Sequence, residues 1–194
     1  MAFIKINAVD SEGNESEEYC AGSIISSLLI LTAAHCLIDP RRVEVSICSI
    51  NRMQGLKLRP RRWHVNPAFN APRVENDIAL IQLEHSLHYD DYIRSICLLQ
   101  PDVQTRDRSL VWETEVRDYN IHERLNYSPW ATHNHICVYG ENVQGASYVG
   151  VYSIPADIEV WEEGFQPNRT ALFTSVTSHL DWILMRIVLS HYIY

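Results

Sequence analysis

LTAAHC, the stretch from Leu31 to Cys36, and NDIAL, from Asn76 to Leu80, decide the fold of this chain. Each stretch places one polar residue, His35 or Asp77, beside a run of aliphatic residues. Runs of this length and composition predict buried β-strands. Taken alone, such a histidine is more often a packed residue at a strand end, and such an aspartate a turn cap. A functional role for either one therefore depends on the surrounding sequence.

Strand signals dominate the first half of the chain, and one helix signal closes it. The strand-like segments FIKINAV, AGSIISSLLILTAA, RVEVSICSI and NDIALIQLEH are separated by turns containing Gly, Pro, Asn or Asp. Near the C-terminus, the spacing of one helical face appears at Leu180, Ile183, Leu184, Ile187 and Val188. We expect this whole apolar stripe to be buried. The pattern predicts an all-β body followed by one helix.

The composition fits one globular domain and argues against two kinds of partner. The chain has 194 residues, 46% of them hydrophobic, and a net charge of -8 with both signs scattered. No basic face for nucleic acid is predicted, and the RPRRW stretch at 59–63 is interpreted as a solvated loop. The apolar run WILMRIVL at 182–189 is too short for a membrane span and contains Arg186.

Cysteines and glycosylation motifs favour an extracellular location. The chain has five cysteines, and N-x-S/T sequons begin at Asn14, Asn126 and Asn168. Its first residues, MAFIKINAVDSEGN, lack the apolar core of a signal peptide. We therefore expect that the front of the protein is missing from this sequence.

Four motifs in one order resemble those of the trypsin-like (chymotrypsin-family) serine proteases. GSIISSLLILTAAHC resembles the histidine motif, NDIALIQL the aspartate motif, YIRSICL the stretch that follows, and FTSVTSHLDWI the closing strand and helix. The resemblance implies an all-β, chymotrypsin-like double antiparallel β-barrel with a C-terminal α-helix. It implies one peptidase domain over 1–194, with a first barrel at about 1–98, a reduced second barrel at about 103–176 and the helix at about 178–189.

The resemblance also implies roles for four residues of the first barrel. His35 is expected to be the general base, and Asp77 the buried carboxylate that orients it. Cys36 is expected to pair with Cys20 behind the histidine. The fate of Cys48, Cys97 and Cys137 stays open, because Cys97 and Cys137 resemble family cysteines whose partners are absent from the sequence, and Cys48 has no family counterpart.

The nucleophile of the family is missing from the sequence. The family carries its serine and oxyanion hole in Gly-Asp-Ser-Gly-Gly-Pro, and that string is absent. Family-like sequence resumes on both sides of the junction between Ala146 and Ser147, so we interpret the motif as removed rather than mutated. Ser147 is followed by Tyr148 and Val149, which are unsuited to a strained turn that presents backbone donors. We therefore do not expect Ser147 to be a nucleophile.

The substrate cleft is altered as well. Ser153, Ile154 and Pro155 stand where the family has Ser-Trp-Gly, and Pro155 has no N–H to pair with an extended substrate. Ser153 resembles the serine that supports the aspartate in the family. Gly145 and Ala146 stand where the base of the specificity pocket is expected, without an acidic residue there. No preference for Arg or Lys is therefore predicted.

No metal site and no cofactor are predicted. His133 with His135, and His85 with His88, each have the spacing for two ligands, but no third ligand stands near either pair. The expected partner is a protein or peptide ligand, and the oligomeric state stays open.

Three hypotheses follow, and whether the chain is an enzyme stays uncertain. The first is a protease homologue without catalytic capacity. The second is a truncated or spliced form of an active endopeptidase. The missing segments favour this second hypothesis for the origin of the chain. The third is a non-catalytic protein-binding cofactor or decoy on the same fold. The substrate, the partner and the biological or artefactual origin of the missing segments are not decided by the sequence.

Overall fold

Eleven strands and one α-helix lie in the described parts of the chain. The computed structural model describes residues 1–9, 13–48, 54–98, 115–117, 135–139, 150–154 and 170–192. The strands are β1 (Ala2–Val9), β2 (Glu15–Ile24), β3 (Leu29–Thr32), β4 (Arg42–Ile47), β5 (Leu56–Leu58), β6 (Pro60–Val65), β7 (Ala79–Leu83), β8 (Glu115–Arg117), β9 (His135–Tyr139), β10 (Gly150–Ile154) and β11 (Thr170–Ser175). Three 3-10 turns (His35–Leu37, Ala71–Arg73 and Thr177–His179) and the helix α1 (Leu180–Tyr192) complete the list.

Seven antiparallel strands form a nearly closed barrel. Their order is β5-β4-β1-β2-β3-β7-β6, and β4 also contacts β6 near the two ends of the sheet. The strand β1, which lies between β4 and β2, buries alternate residues, Ala2, Ile4 and Ile6, as expected for a strand with one face on the core. Ile4 pairs with Cys20 on β2 and with Val45 on β4, which fixes the register on both sides.

A second antiparallel sheet has the order β10-β11-β9-β8. Its register pairs Leu172 with Cys137, and a bulge interrupts the ladder between Tyr152 and Ile154. The mostly β architecture with one C-terminal helix confirms the predicted fold class. The division into barrels at about 1–98 and 103–176 stays a prediction.

The strands β3 and β7 lie deepest in the barrel. Every residue of both strands is buried, and Leu31 pairs with Leu80 across them. Full burial of a Leu or Ile side chain contributes about 1.5–3 kcal/mol. His35 follows shortly after the end of β3, and Asp77 stands just before the start of β7. This buried pair of strands therefore fixes the positions of both residues.

The helix α1 is docked through fewer residues than the sequence predicted, and it runs three residues further. Ile183 is fully buried, whereas Leu184 is 46% exposed and Val188 is 55% exposed. The expectation that the whole apolar stripe is buried was therefore wrong. The physical reason is that α1 is apolar around most of its circumference, so the sequence pattern does not single out one face.

Within the described residues, α1 included, no helix is both long and apolar enough to cross a membrane.

Candidate functional site

A tight turn immediately before β7 presents Asp77. Asn76 has a φ of 54°, in the left-handed region that asparagine tolerates better than most residues. The backbone N–H of Ile78 donates to the carbonyl oxygen of Asn76 at 2.8 Å, which closes the turn. The side chain of Asp77 is completely buried. A carboxylate in this position needs hydrogen-bond donors to offset its desolvation.

His35, the first residue of the 3-10 turn after β3, supplies two such donors to Asp77. Its backbone N–H donates to Oδ1 of Asp77 at 2.8 Å, and its Nδ1–H donates to Oδ2 at 2.7 Å. The second bond places the ring proton on Nδ1 and leaves the lone pair of Nε2 free when the ring is neutral. The imidazole side chain is 42% exposed. The pair therefore has the geometry of a general base held by a buried carboxylate.

The surroundings of His35 favour its protonated form. Burial lowers the pKa of the imidazole, but the hydrogen bond that it donates to Asp77 and the negative charge of Asp77, with a further contribution from the charge of Glu18, raise the pKa above its ordinary value. The net effect makes Nε2 a stronger base than that of a free histidine. General-base chemistry needs the neutral ring, so this site favours neutral to alkaline pH.

The disulfide between Cys20 and Cys36 lies beside the imidazole. It joins β2 to the 3-10 turn of His35, with the two Cα atoms 6.4 Å apart and a sequence separation of 16. Sγ of Cys36 lies 3.4 Å from Nε2 of His35. Donor atoms of Cys20, His35 and Cys36 lie close together, but both sulfurs are already bonded to each other. The cluster thus offers no thiolate to a metal ion.

The residues that the sequence assigned to the cleft lie outside the described residues, except for Ser153, whose backbone is described. The backbone of Ser153 lies in β10, next to the bulge. Gly145, Ala146, Ser147 and Pro155 lie outside the described residues. Their expected roles, and the role of Ser153 beside Asp77, stay predictions.

The structure adds one pair of residues that sequence reasoning missed, His179 and Asn76. His179 ends the 3-10 turn before α1 and is only 7% exposed. Its Nδ1–H donates to the carbonyl oxygen of Ser175 at 2.7 Å, and its Nε2 lies 2.9 Å from Oδ1 of Asn76. The available signals were an asparagine directly before Asp77 and a histidine inside the apolar closing motif.

Burial affects the protonation of His179. Desolvation lowers the pKa of this imidazole, and the hydrogen bond to the carbonyl of Ser175 offsets only part of that effect. A carbonyl oxygen faces each ring nitrogen, and because an oxygen of this kind accepts a hydrogen bond, both contacts favour a proton on the nitrogen that they face.

The sequence of this chain is similar to that of known proteins. Residues 5–128 match the family model described as Trypsin. A tryptase from Mus musculus is 28% identical over 216 aligned residues, which cover 85% of this chain and 77% of the tryptase.

Solved structures show the same fold at lower sequence identity. The structure of HL collagenase has a TM-score of 0.74 at 22% identity, covering 95% of this chain and 92% of that one. An inactivated protease paralogue of the scabies mite has a TM-score of 0.72 at 17% identity, covering 97% of this chain and 92% of the paralogue. A second scabies mite paralogue, also inactivated, has a TM-score of 0.70 at 19% identity, with coverages of 95% and 93%.

Proposed function

The chain belongs to the trypsin family of serine proteases and has its chymotrypsin-like fold, and from this premise we propose that it is a homologue without catalytic activity. The observation that carries the proposal is the contrast between two parts of the site. The histidine and the carboxylate are in place, with Nδ1 of His35 at 2.7 Å from Oδ2 of Asp77. The string Gly-Asp-Ser-Gly-Gly-Pro, in contrast, is absent from the sequence.

Peptide hydrolysis by this family needs three groups at once. A serine oxygen attacks the carbonyl carbon, the histidine takes its proton, and backbone N–H groups stabilise the resulting oxyanion. Loss of a triad member alone leaves about 10³–10⁴-fold catalysis over water, supplied by the oxyanion hole and by binding. The absent string carries both the serine and the oxyanion donors, so this remainder is lost as well. We do not expect Ser147 to replace them, since Tyr148 and Val149 follow it where the family has glycines.

We propose that the remaining cleft binds a protein or peptide ligand rather than cleaving it. Pro155 offers no N–H to an extended substrate, and Gly145 and Ala146 provide no charge at the expected pocket base. The scabies mite paralogues are described as inactivated, so the same fold exists in proteins without activity. The Cys20–Cys36 disulfide suits an oxidising compartment, and we propose an extracellular location.

A second candidate is a truncated or spliced form of an active endopeptidase. It is favoured by the abrupt junction between Ala146 and Ser147, where family-like sequence resumes on both sides. A third, a cofactor or decoy that works through its loops, differs from the leading proposal in having a dedicated binding partner. Sequencing the transcript across the junction separates the first two, because an active form would carry the missing codons.

A fluorophosphonate probe tests inactivity directly, because it labels a serine only where a base and an oxyanion site activate it. We expect no labelling of the folded chain under conditions that label a trypsin-family protease added to the same tube. The matched controls are Ser147→Ala and His35→Gln. Labelling that disappears in both variants would show an active serine at position 147 and contradict the proposal.

A further inference from the structure

One buried histidine ties the C-terminal helix to the turn that presents Asp77. His179 directly precedes α1 and lies 103 residues from Asn76 in sequence, yet Nε2 of His179 and Oδ1 of Asn76 are 2.9 Å apart. On the other side of the ring, Nδ1–H donates to the carbonyl of Ser175, at the end of β11. Both ring nitrogens thus lie within hydrogen-bond distance of a carbonyl oxygen.

Asn76 is held from two directions. Its Nδ2 donates to the carbonyl oxygen of Ala68 at 3.0 Å, while Oδ1 faces His179. Its backbone is left-handed, and its carbonyl accepts the N–H of Ile78 at 2.8 Å. Asn76 directly precedes Asp77, so any rotation of this turn redirects the carboxylate that accepts both donors of His35.

We propose that His179 is a positioning residue for the His35–Asp77 pair, acting through the side chain of Asn76. Docking of α1 against the first barrel carries His179 to Asn76, and this contact holds the turn in the orientation that keeps both hydrogen bonds of Asp77 short. The proposal goes beyond the proposed function and does not depend on catalysis, because it concerns the geometry of the pair.

The chemistry of the contact explains the choice of side chain. The amide of Asn76 serves two partners at once: its Oδ1 accepts a hydrogen bond from Nε2–H of His179, while its NH₂ group donates to the carbonyl oxygen of Ala68. A phenylalanine would fill the same volume without a hydrogen-bonding nitrogen. At position 179, a glutamine places its NH₂ group near the position of Nε2 of the histidine. An asparagine is shorter, and its NH₂ group reaches only the position of Nδ1.

The experiment measures the titration of His35 by NMR in the folded protein, with its resonance assigned by comparison with His35→Gln. In His179→Phe and His179→Asn, we expect the titration midpoint of His35 to fall by about half a pH unit, the scale of one hydrogen bond. His179→Gln should restore the midpoint. The control His191→Gln, which replaces an exposed histidine near the end of α1, should leave the midpoint unchanged.

A second variant keeps the test decisive if His179→Phe does not fold. Asn76→Gly preserves the left-handed backbone and removes the side chain through which His179 acts. We expect the same fall in the midpoint of His35, and no additional fall when His179→Asn is combined with it.

The opposite outcomes would overturn the proposal. If the variants at position 179 lower stability while the midpoint of His35 stays constant, the histidine only fills space. If the falls caused by Asn76→Gly and His179→Asn simply add, Asn76 does not transmit the effect. Because the readout is a titration, these failures are distinguishable from a failure of proposed inactivity, which is read by probe labelling.

Discussion

Replacing Asp77 with Asn removes the charge that supports His35 with almost no change in volume. The carboxylate is fully buried and accepts two hydrogen bonds, from His35 N at 2.8 Å and from Nδ1 at 2.7 Å. An amide still accepts the first bond, but its NH₂ group faces Nδ1, so the second is lost or the ring proton moves to Nε2. The pKa of His35 should then fall, because burial, which lowers it, loses its main opposing influence.

The size of the effect follows from the geometry. A hydrogen bond to a charged group contributes about 1.5–3 kcal/mol. Water screens the 42% exposed imidazole, and removal of the buried charge also removes its desolvation cost. We therefore expect Asp77→Asn to lower the free energy of unfolding by about 1–2 kcal/mol in the weakly acidic range.

The pH dependence gives the prediction its sign. The folded pKa of His35 is raised, so the pair contributes its full stability below the unfolded pKa of about 6.5 and loses it as pH rises through the folded value. Urea unfolding at pH 5.5 and at pH 9 should thus show a larger penalty for Asp77→Asn at the lower pH.

The matched control is Asp91→Asn, which breaks a surface pair with Arg94 at 3.4 Å and should change stability by less than about 0.5 kcal/mol at both pH values. An equal penalty for Asp77→Asn at both pH values, or an unchanged pKa of His35 in that variant, would refute the reasoning.

Three further predictions test the fold. Ile183→Ala should lower the free energy of unfolding in urea by about 2–5 kcal/mol, because the side chain of Ile183 is fully buried. The control Leu184→Ala, at a 46% exposed position, should lower it by under about 1 kcal/mol. Similar losses of stability in the two variants would mean that α1 docks through another face. Gly22→Ala should cost about 1–3 kcal/mol, since a Cβ there meets Ile30 Cγ2 at 2.6 Å and the backbone oxygen of Leu31 at 3.0 Å; a neutral result would show that the barrel wall yields. Replacing Cys20 and Cys36 together by Ala should cost about 3 kcal/mol, as the cross-link spans a separation of 16; the check is the unfolding midpoint with and without reductant, which should move in the parent protein only.

The parts of the fold that could be predicted are those whose signal is local. The apolar runs that became β3 and β7 are buried on both faces, so their hydrophobicity alone identified them. His35 lies just after β3, and Asp77 lies just before β7. The pairing of Leu31 with Leu80 therefore brings the two residues close together.

Two features could not be predicted because they depend on distant parts of the chain. The docked face of α1 is set by the barrel beneath it, and the helix has apolar residues on every side, so its sequence does not identify the face that docks. The contact of His179 with Asn76 joins residues 103 positions apart, and neither belongs to a periodic pattern. An asparagine in a turn and a histidine before a helix are ordinary residues until the fold brings them together.

The contacts that support the His35–Asp77 pair explain how it is held in a chain without the Gly-Asp-Ser-Gly-Gly-Pro string. In the described part of the chain, the pair is held by the turn after β3, by the turn before β7, and by the disulfide to β2. The turn before β7 is further tied to the segment between β11 and α1. None of these elements includes the junction at Ala146 and Ser147. The same buried strands that stabilise the barrel therefore position the base and its carboxylate, whether or not a serine stands opposite. An intact histidine–aspartate pair in this fold consequently reports on the core of the first barrel, and catalysis has to be established from the nucleophile itself.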